Sequence, residues 1–215
     1  MTQLTEVVFI LDRSGSMHGL ESDTIGGFNS MLAQQKNGEG RAIVSTVLFD
    51  DESKVIHDRQ SIDTIAPMTD RDYQVRGCTA LLDAIGGTIH HIGNVHKYAR
   101  AEDRPNKTLF VIITDGMENA STRYTHDKVK YMIERQREKY GWEFMFLGAN
   151  IDAITEAARY GIKKEMAANY ICDERGTALN YSAVGVVLGS MRANRPLTKE
   201  WRSEIDQDYM KRKRK

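Results

Sequence analysis

Apolar residues fall along this chain in two alternating rhythms. Unbroken runs, Val7-Val8-Phe9-Ile10-Leu11 and Leu109-Phe110-Val111-Ile112-Ile113, read as strands buried on both faces. Elsewhere apolar positions recur at three- and four-residue spacing. Ile25, Phe28 and Leu32 share a helical face that ends near Asn37-Gly38. Leu81, Leu82, Ile85, Ile89 and Ile92 mark a helix over 79–95. Gly86-Gly87 interrupts it at about 1 kcal/mol per Gly relative to Ala, and close passage over the sheet would account for both. A polar helix over 123–140 has Val129, Met132, Ile133 and Tyr140 as its buried stripe and stops at Gly141. Arg41–Phe49 reads as a strand rich in Val, Ile and Thr, paired through an acidic turn with a short antiparallel strand over 53–57. Strands over 107–114 and 142–148 follow, the first reached by a polar surface connection. The pattern closes with a short helix over 151–160, an edge strand over 170–172 and a helix over 177–192. Strands alternating with helices predict an α/β sheet covered on both faces.

With 215 residues, the chain fits one large domain with an appendage. The expected division is a domain over 1–194 and a charged appendage over 195–215. In the appendage Trp201, Ile205 and Tyr209 recur at four-residue spacing, as in a short helix docking on the domain or on a partner. The run from Lys211 to Lys215 is wholly basic and reads as a solvated tail, with contact to nucleic acid or an acidic partner as the alternative. Lys plus Arg and Asp plus Glu number 30 each, so no net field favours nucleic acid or an anionic membrane. No signal peptide is expected, and no run approaches the ~18 apolar residues of a membrane helix. Two cysteines, Cys78 and Cys172, are too few for a disulfide framework. The expectation is a cytoplasmic protein, with Cys78 a small buried residue or, beside Thr79, a reactive thiol.

The first apolar run ends in Asp12-Arg13-Ser14-Gly15-Ser16, which sets a carboxylate and two hydroxyls at alternating positions at a strand's carboxyl end. Gly15 lets the loop fold tightly enough to aim all three oxygens at one point. Hard oxygen donors in such a crevice suit a small divalent cation. Structural roles are the alternative: Ser14 and Ser16 as helix caps, Thr79 in Gly77-Cys78-Thr79 as another, and Asp115-Gly116 after the second run as an ordinary turn.

D-x-S-x-S after an apolar strand, with Thr79 ahead of a helix and Asp115 at the end of a second strand, resembles the metal-ion-dependent adhesion site of von Willebrand factor type A domains. The match extends from roughly Thr5 to Gly161. The resemblance implies a doubly wound, mostly parallel Rossmann-like sheet with one antiparallel edge strand and helices on both faces. It also implies Mg2+ (or Mn2+) held by Asp12, Ser14, Ser16, Thr79 and Asp115, some through water. Two carboxylates leave such an ion electrophilic, so a partner's Asp or Glu can complete its coordination. The implied function is a protein-binding module and not an enzyme.

The alternative is a Mg2+-dependent phosphoryl-transfer enzyme of haloacid-dehalogenase type, in which Ser14 would stand where an acid/base Asp is needed. Nucleotide-binding glycine motifs and a G-x-S-x-G elbow are absent from the sequence. Glu118 and Asn119 read as rim residues or an exposed turn, and Asp83 as a partner to the ligands. Arg13 reads as a side chain facing an incoming acidic group, and Asp50-Asp51-Glu52 as a solvated turn. His90, His91 and His96 lack the i, i+4 spacing of a helical zinc site. Thr177-Ala178-Leu179 repeats Thr79-Ala80-Leu81 and reads as a shared cap, with a second site as the alternative.

Overall fold

The computed structural model describes residues 3–213; Arg214 and Lys215, the end of the basic run, lie outside the described residues. Six strands, β1 (Leu4–Asp12), β2 (Arg41–Phe49), β3 (Ser53–Ser61), β4 (Lys107–Thr114), β5 (Glu143–Gly148) and β6 (Ala167–Asn169), form one sheet in the order β3-β2-β1-β4-β5-β6. All neighbours pair in parallel except β3, which runs antiparallel to β2 at the edge. Parallel strands covered on both faces need apolar side chains throughout. Val7 to Leu11 and Leu109 to Ile112 meet that need, each at most 1% exposed.

The helices are α1 (Glu21–Lys36), α2 (Leu81–Tyr98), α3 (His126–Tyr140), α4 (Ala153–Arg159), α5 (Glu174–Arg192) and α6 (Ser203–Arg212). On one face α1 packs against α5. Phe28 of α1 stands edge-on to Phe9 of β1, ring centroids 5.2 Å apart, and to Tyr181 of α5 at 6.2 Å. Phe110 pairs in the ladder with Val8 and so points to the opposite side from Phe9. There it stacks on Trp142, which meets His96 of α2 edge-on. The chain leaves β1 for β2 on one side and reaches β4 on the other. The connections therefore part at the carboxyl ends of β1 and β4, the crevice where ligands bind in doubly wound sheets. Asp12 and Asp115 stand there.

Several boundaries and environments differ from the sequence pattern. β3 continues to Ser61. α3 begins at His126, because the Thr125 side chain caps it by accepting from the Lys128 N–H at 3.3 Å. Tyr140 is 52% exposed rather than buried; Gly141, at φ 66°, turns the chain so that Trp142 enters the core instead. Gly86 is required by the Tyr124 ring, which a Cβ would strike, whereas nothing lies within 4 Å of a Cβ on Gly87. Close approach to the sheet accounts for neither. The last strand is Ala167–Asn169, three residues before the expected edge strand, and Tyr170 is buried just beyond it. α5 starts early, at Glu174, because Asp173 caps it by accepting from the Gly176 N–H at 2.8 Å. Cys78 is exposed, not buried.

Beyond Asn194, Trp201 and Ile205 join the main core. Trp201 Nε1 donates to the Glu165 carbonyl at 3.1 Å, and Arg202 donates to the Ala167 carbonyl at 2.7 Å, fastening this segment beside β6. Among the described residues no helix is long and apolar enough to cross a membrane.

Candidate metal centre

Asp12 closes β1 and is 1% exposed. Its Oδ1 accepts from the Ser14 N–H at 2.8 Å and its Oδ2 from the Thr114 hydroxyl at 2.6 Å. The Tyr73 hydroxyl donates to its carbonyl. Ser14 Oγ lies 3.1 Å from Ser16 Oγ, and the Ser16 hydroxyl donates to Asp115 Oδ1 at 2.6 Å. Asp115, just past β4, is also buried, and its Oδ2 accepts from the Cys172 thiol at 3.6 Å. Thr79 arrives from a third loop. A Cβ on Gly116 would lie 3.5 Å from Thr79 Oγ1 and 3.6 Å from Ser16 Oγ, so Gly116 keeps the space between the two hydroxyls clear. All five residues singled out in the sequence thus converge on one spot.

Capping does not explain the hydroxyls. Ser14 precedes a short 3-10 turn without a side-chain bond to it, and α2 is preceded by Ala80, not Thr79. Backbone bonds hold the loops together instead. The Gly15 N–H donates to the Gly77 carbonyl at 3.1 Å and the Arg76 N–H to the Arg13 carbonyl at 2.9 Å. Gly77 sits at φ 68°, where a side chain would be strained. Thr79 is tied to the loop that follows Asp115: its N–H donates to Asn119 Oδ1 at 2.9 Å, and the Asn119 N–H donates back to its carbonyl at 3.0 Å.

The neighbours take roles other than those their sequence positions suggest. Arg13 turns inward and pairs with Asp50 at 2.9 Å. Asp50 is fully buried rather than solvated, and Arg76 holds it from the other side at 2.9 Å. Burial works against its charge, but the Arg76 hydrogen bond, the Glu52 N–H and the two guanidinium charges outweigh it and hold the carboxyl below the usual range. Glu118 accepts from the Leu82, Ala120 and Ser121 N–H groups and so fastens its own loop to the start of α2. Asp83 accepts from the N–H groups of Thr122, Arg123 and Tyr124 and bonds to none of the five residues. Thr114, Tyr73 and Cys172 were not apparent as site residues. Thr114 carried a signal, a hydroxyl closing an apolar run directly before Asp115; Tyr73, in an irregular loop, carried none.

Charge balance tests whether a cation fits here. Among the described residues six acidic ones are buried: Glu6, Asp12, Asp50, Asp83, Asp115 and Asp208. Glu6 pairs with Arg59 and His96, Asp50 with Arg13 and Arg76, Asp83 with Arg123, and Asp208 with Arg175 and Arg212. Among the described residues, no Lys, Arg or His pairs with Asp12 or Asp115. Burial pushes the Asp12 carboxyl above its ordinary range despite hydrogen bonds from Thr114 and Ser14, and the charge of Asp115 pushes it further. Two uncompensated carboxylates, three hydroxyls and a space kept open by glycine fit a hard divalent ion.

No protein-family model and no curated protein matches this sequence. Solved structures do. The chain is similar to proximal thread matrix protein 1 from the mussel byssus with a zinc-occupied MIDAS motif, at 14% identity and a TM-score of 0.60, covering 87% of this chain and 46% of that one. It is similar to a von Willebrand factor type A protein from Catenulispora acidiphila at 15% identity and a TM-score of 0.54, covering 89% of this chain and 42% of that one. It is also similar to the vWF domain of a type V pili tip protein from Porphyromonas gingivalis, at 12% identity and a TM-score of 0.61, covering 92% of this chain and 99% of that one. This chain thus spans less than half the length of the mussel and Catenulispora chains. The sheet order, the single antiparallel edge and these likenesses together give the chain the fold of a von Willebrand factor type A domain.

Proposed function

We propose that this chain is a divalent-metal-dependent protein-binding module. Asp12, Ser14, Ser16, Thr79 and Asp115 would hold Mg2+ or Mn2+, and a partner's Asp or Glu carboxylate would complete the site. The observation that carries the reading is the pair of buried carboxylates without a basic partner among the described residues, where the other buried acids each have one. An ion bound there supplies an electrophilic centre with exchangeable waters. The chain's own residues do the rest: Thr114 and the Ser14 N–H fix Asp12, Ser16 fixes Asp115, and Gly116 leaves the approach open. The zinc reported for the mussel protein supports a divalent ion and widens the choice beyond Mg2+.

Binding rather than catalysis is supported by the hydroxyls, which are engaged with each other and with Asp115, a carboxylate that the ion would itself take as a ligand. Phosphoryl transfer gains no support, since Ser14 occupies the acid/base position. A reducing, cytoplasmic setting accords with two free cysteines. The test is titration with Mn2+ followed by its paramagnetic signal, together with partner capture from the native host in Mg2+ and in EDTA. Wild type should bind one ion and Asp12→Ala none. Equal binding by both would place the ion elsewhere, and capture unaffected by EDTA would sink the adhesion reading.

A further inference from the structure

Beneath Asp12, between the end of β1 and helices α1 and α5, lies a small chamber. Its polar wall consists of Asp12, Thr24 of α1, Tyr170, and Thr177, Asn180 and Tyr181 of α5. All six are buried, Asn180 to 1% exposure. The chamber leaves about 10 Å³ for the centre of a water molecule, close to the roughly 10–15 Å³ that one water requires.

Four polar atoms on this wall pair with no described protein group: Thr24 Oγ1, Tyr181 Oη, and both Oδ1 and Nδ2 of Asn180. Buried amides and hydroxyls are ordinarily satisfied, and leaving them unpaired is costly. Asn180 is the discriminating residue, because it leaves a donor and an acceptor unpaired at once. A cation would face the Nδ2 protons, an anion would face Oδ1 and the Asp12 carboxylate, and an apolar group would satisfy none of the four atoms. The ligand must both donate and accept, and must be small and neutral.

We infer that this chamber is a binding site for one long-lived water molecule, which bridges the Asn180 amide to the hydroxyls of Thr24 and Tyr181. The water joins α1 to α5 directly under the strand end that carries Asp12. Its binding needs no cation above it, so the inference stands apart from the metal reading.

The test counts tightly held waters by oxygen-17 magnetic relaxation dispersion of the metal-free protein. Wild type should show one more long-lived water than the double variant Asn180→Leu/Thr24→Val, which replaces two of its partners with apolar groups of similar size. Equal dispersion amplitudes would overturn the site. If the double variant does not fold, wild type alone decides. The Asn180 side-chain amide protons should then show a nuclear Overhauser effect to water with the sign of a rigidly held molecule, and no such effect would likewise overturn it.

Discussion

Thr79 and Asn119 exchange two hydrogen bonds, N–H to Oδ1 at 2.9 Å and N–H to carbonyl at 3.0 Å, so each fixes the other's loop. Every backbone polar group of Thr79 is thereby used, while its hydroxyl is left to the space beside Gly116 and Ser16. The loop that delivers Thr79 and the loop that delivers Asp115 are thus joined by hydrogen bonds.

That coupling separates two variants. Thr79→Ala removes the hydroxyl without removing a cap, so it should remain folded at a cost of about 1 kcal/mol for the buried methyl. It should retain Mn2+ binding, weakened, yet lose most metal-dependent capture of a partner. Asn119→Leu keeps all five oxygens and the backbone bond to the Thr79 carbonyl but removes the acceptor of the Thr79 N–H, which loosens the Thr79 loop and should weaken Mn2+ binding as well. Capture by Thr79→Ala equal to wild type would show that the hydroxyl serves no ion.

Gly116→Ala tests the open space itself. Its Cβ would meet the Thr79 and Ser16 hydroxyls at 3.5 and 3.6 Å, ordinary contact distances, so the melting temperature without metal should stay near that of wild type. The same methyl stands where an ion and its waters must fit. Mn2+ affinity should drop at least about tenfold, a loss of roughly 1.4 kcal/mol. Undiminished affinity in a titration would show that the ion lies away from Gly116.

Much of this was legible along the chain for a physical reason. β1 and β4 lie at the centre of the sheet and are covered on both faces, so they appear as unbroken apolar runs, and the oxygens at their ends stand out against them. Ala167–Asn169 shows no such pattern, because a three-residue strand at the edge needs only small side chains that fit beneath α4. Asp50 was illegible for a different reason. In Asp50-Asp51-Glu52 it looks like its solvated neighbours, and its burial depends on Arg13 and Arg76, far away in sequence. Local spacing reports which residue types are near one another along the chain, not which distant charges compensate them.

The Arg13–Asp50 pair therefore gives a stability prediction with a definite pH dependence. Asp50 is held below the ordinary aspartate value of about 3.9. Its contribution is present above that value and is lost as pH falls through the lower, folded one. Arg13→Met strips the carboxylate of its buried partner and leaves Arg76, so the cost at pH 7 should be about 3 kcal/mol, the low end for breaking a buried pair. Urea unfolding should show that deficit shrinking below about pH 4 as Asp50 protonates. Stabilisation by Mg2+ should persist, since Arg13 faces Asp50 and not the five oxygens. A deficit that grows in acid would exclude this account.

Asp12 has the opposite sign. Burial raises its pKa, with Asp115 adding repulsion. Such a group costs nothing below its ordinary value of about 3.9, progressively more as pH climbs to its folded value, and the full amount above it. Asparagine can occupy the same place. Its Oδ1 would accept from the Ser14 N–H, and its Nδ2 would donate to Thr114 Oγ1, whose proton can turn to the Gly116 carbonyl 3.2 Å away. In EDTA at neutral pH, Asp12→Asn should therefore melt above wild type, by about 2–4 °C for each kcal/mol of relief in a domain of this size. The advantage should fade as pH approaches 4. In Mg2+ the order should reverse, because wild type gains about 2.7 kcal/mol at 100 times its dissociation constant while the variant has lost a charged ligand. A variant less stable than wild type in EDTA at pH 7 would mean that the Asp12 charge already has a compensating partner inside the protein, and the argument for a cation would lose its foundation.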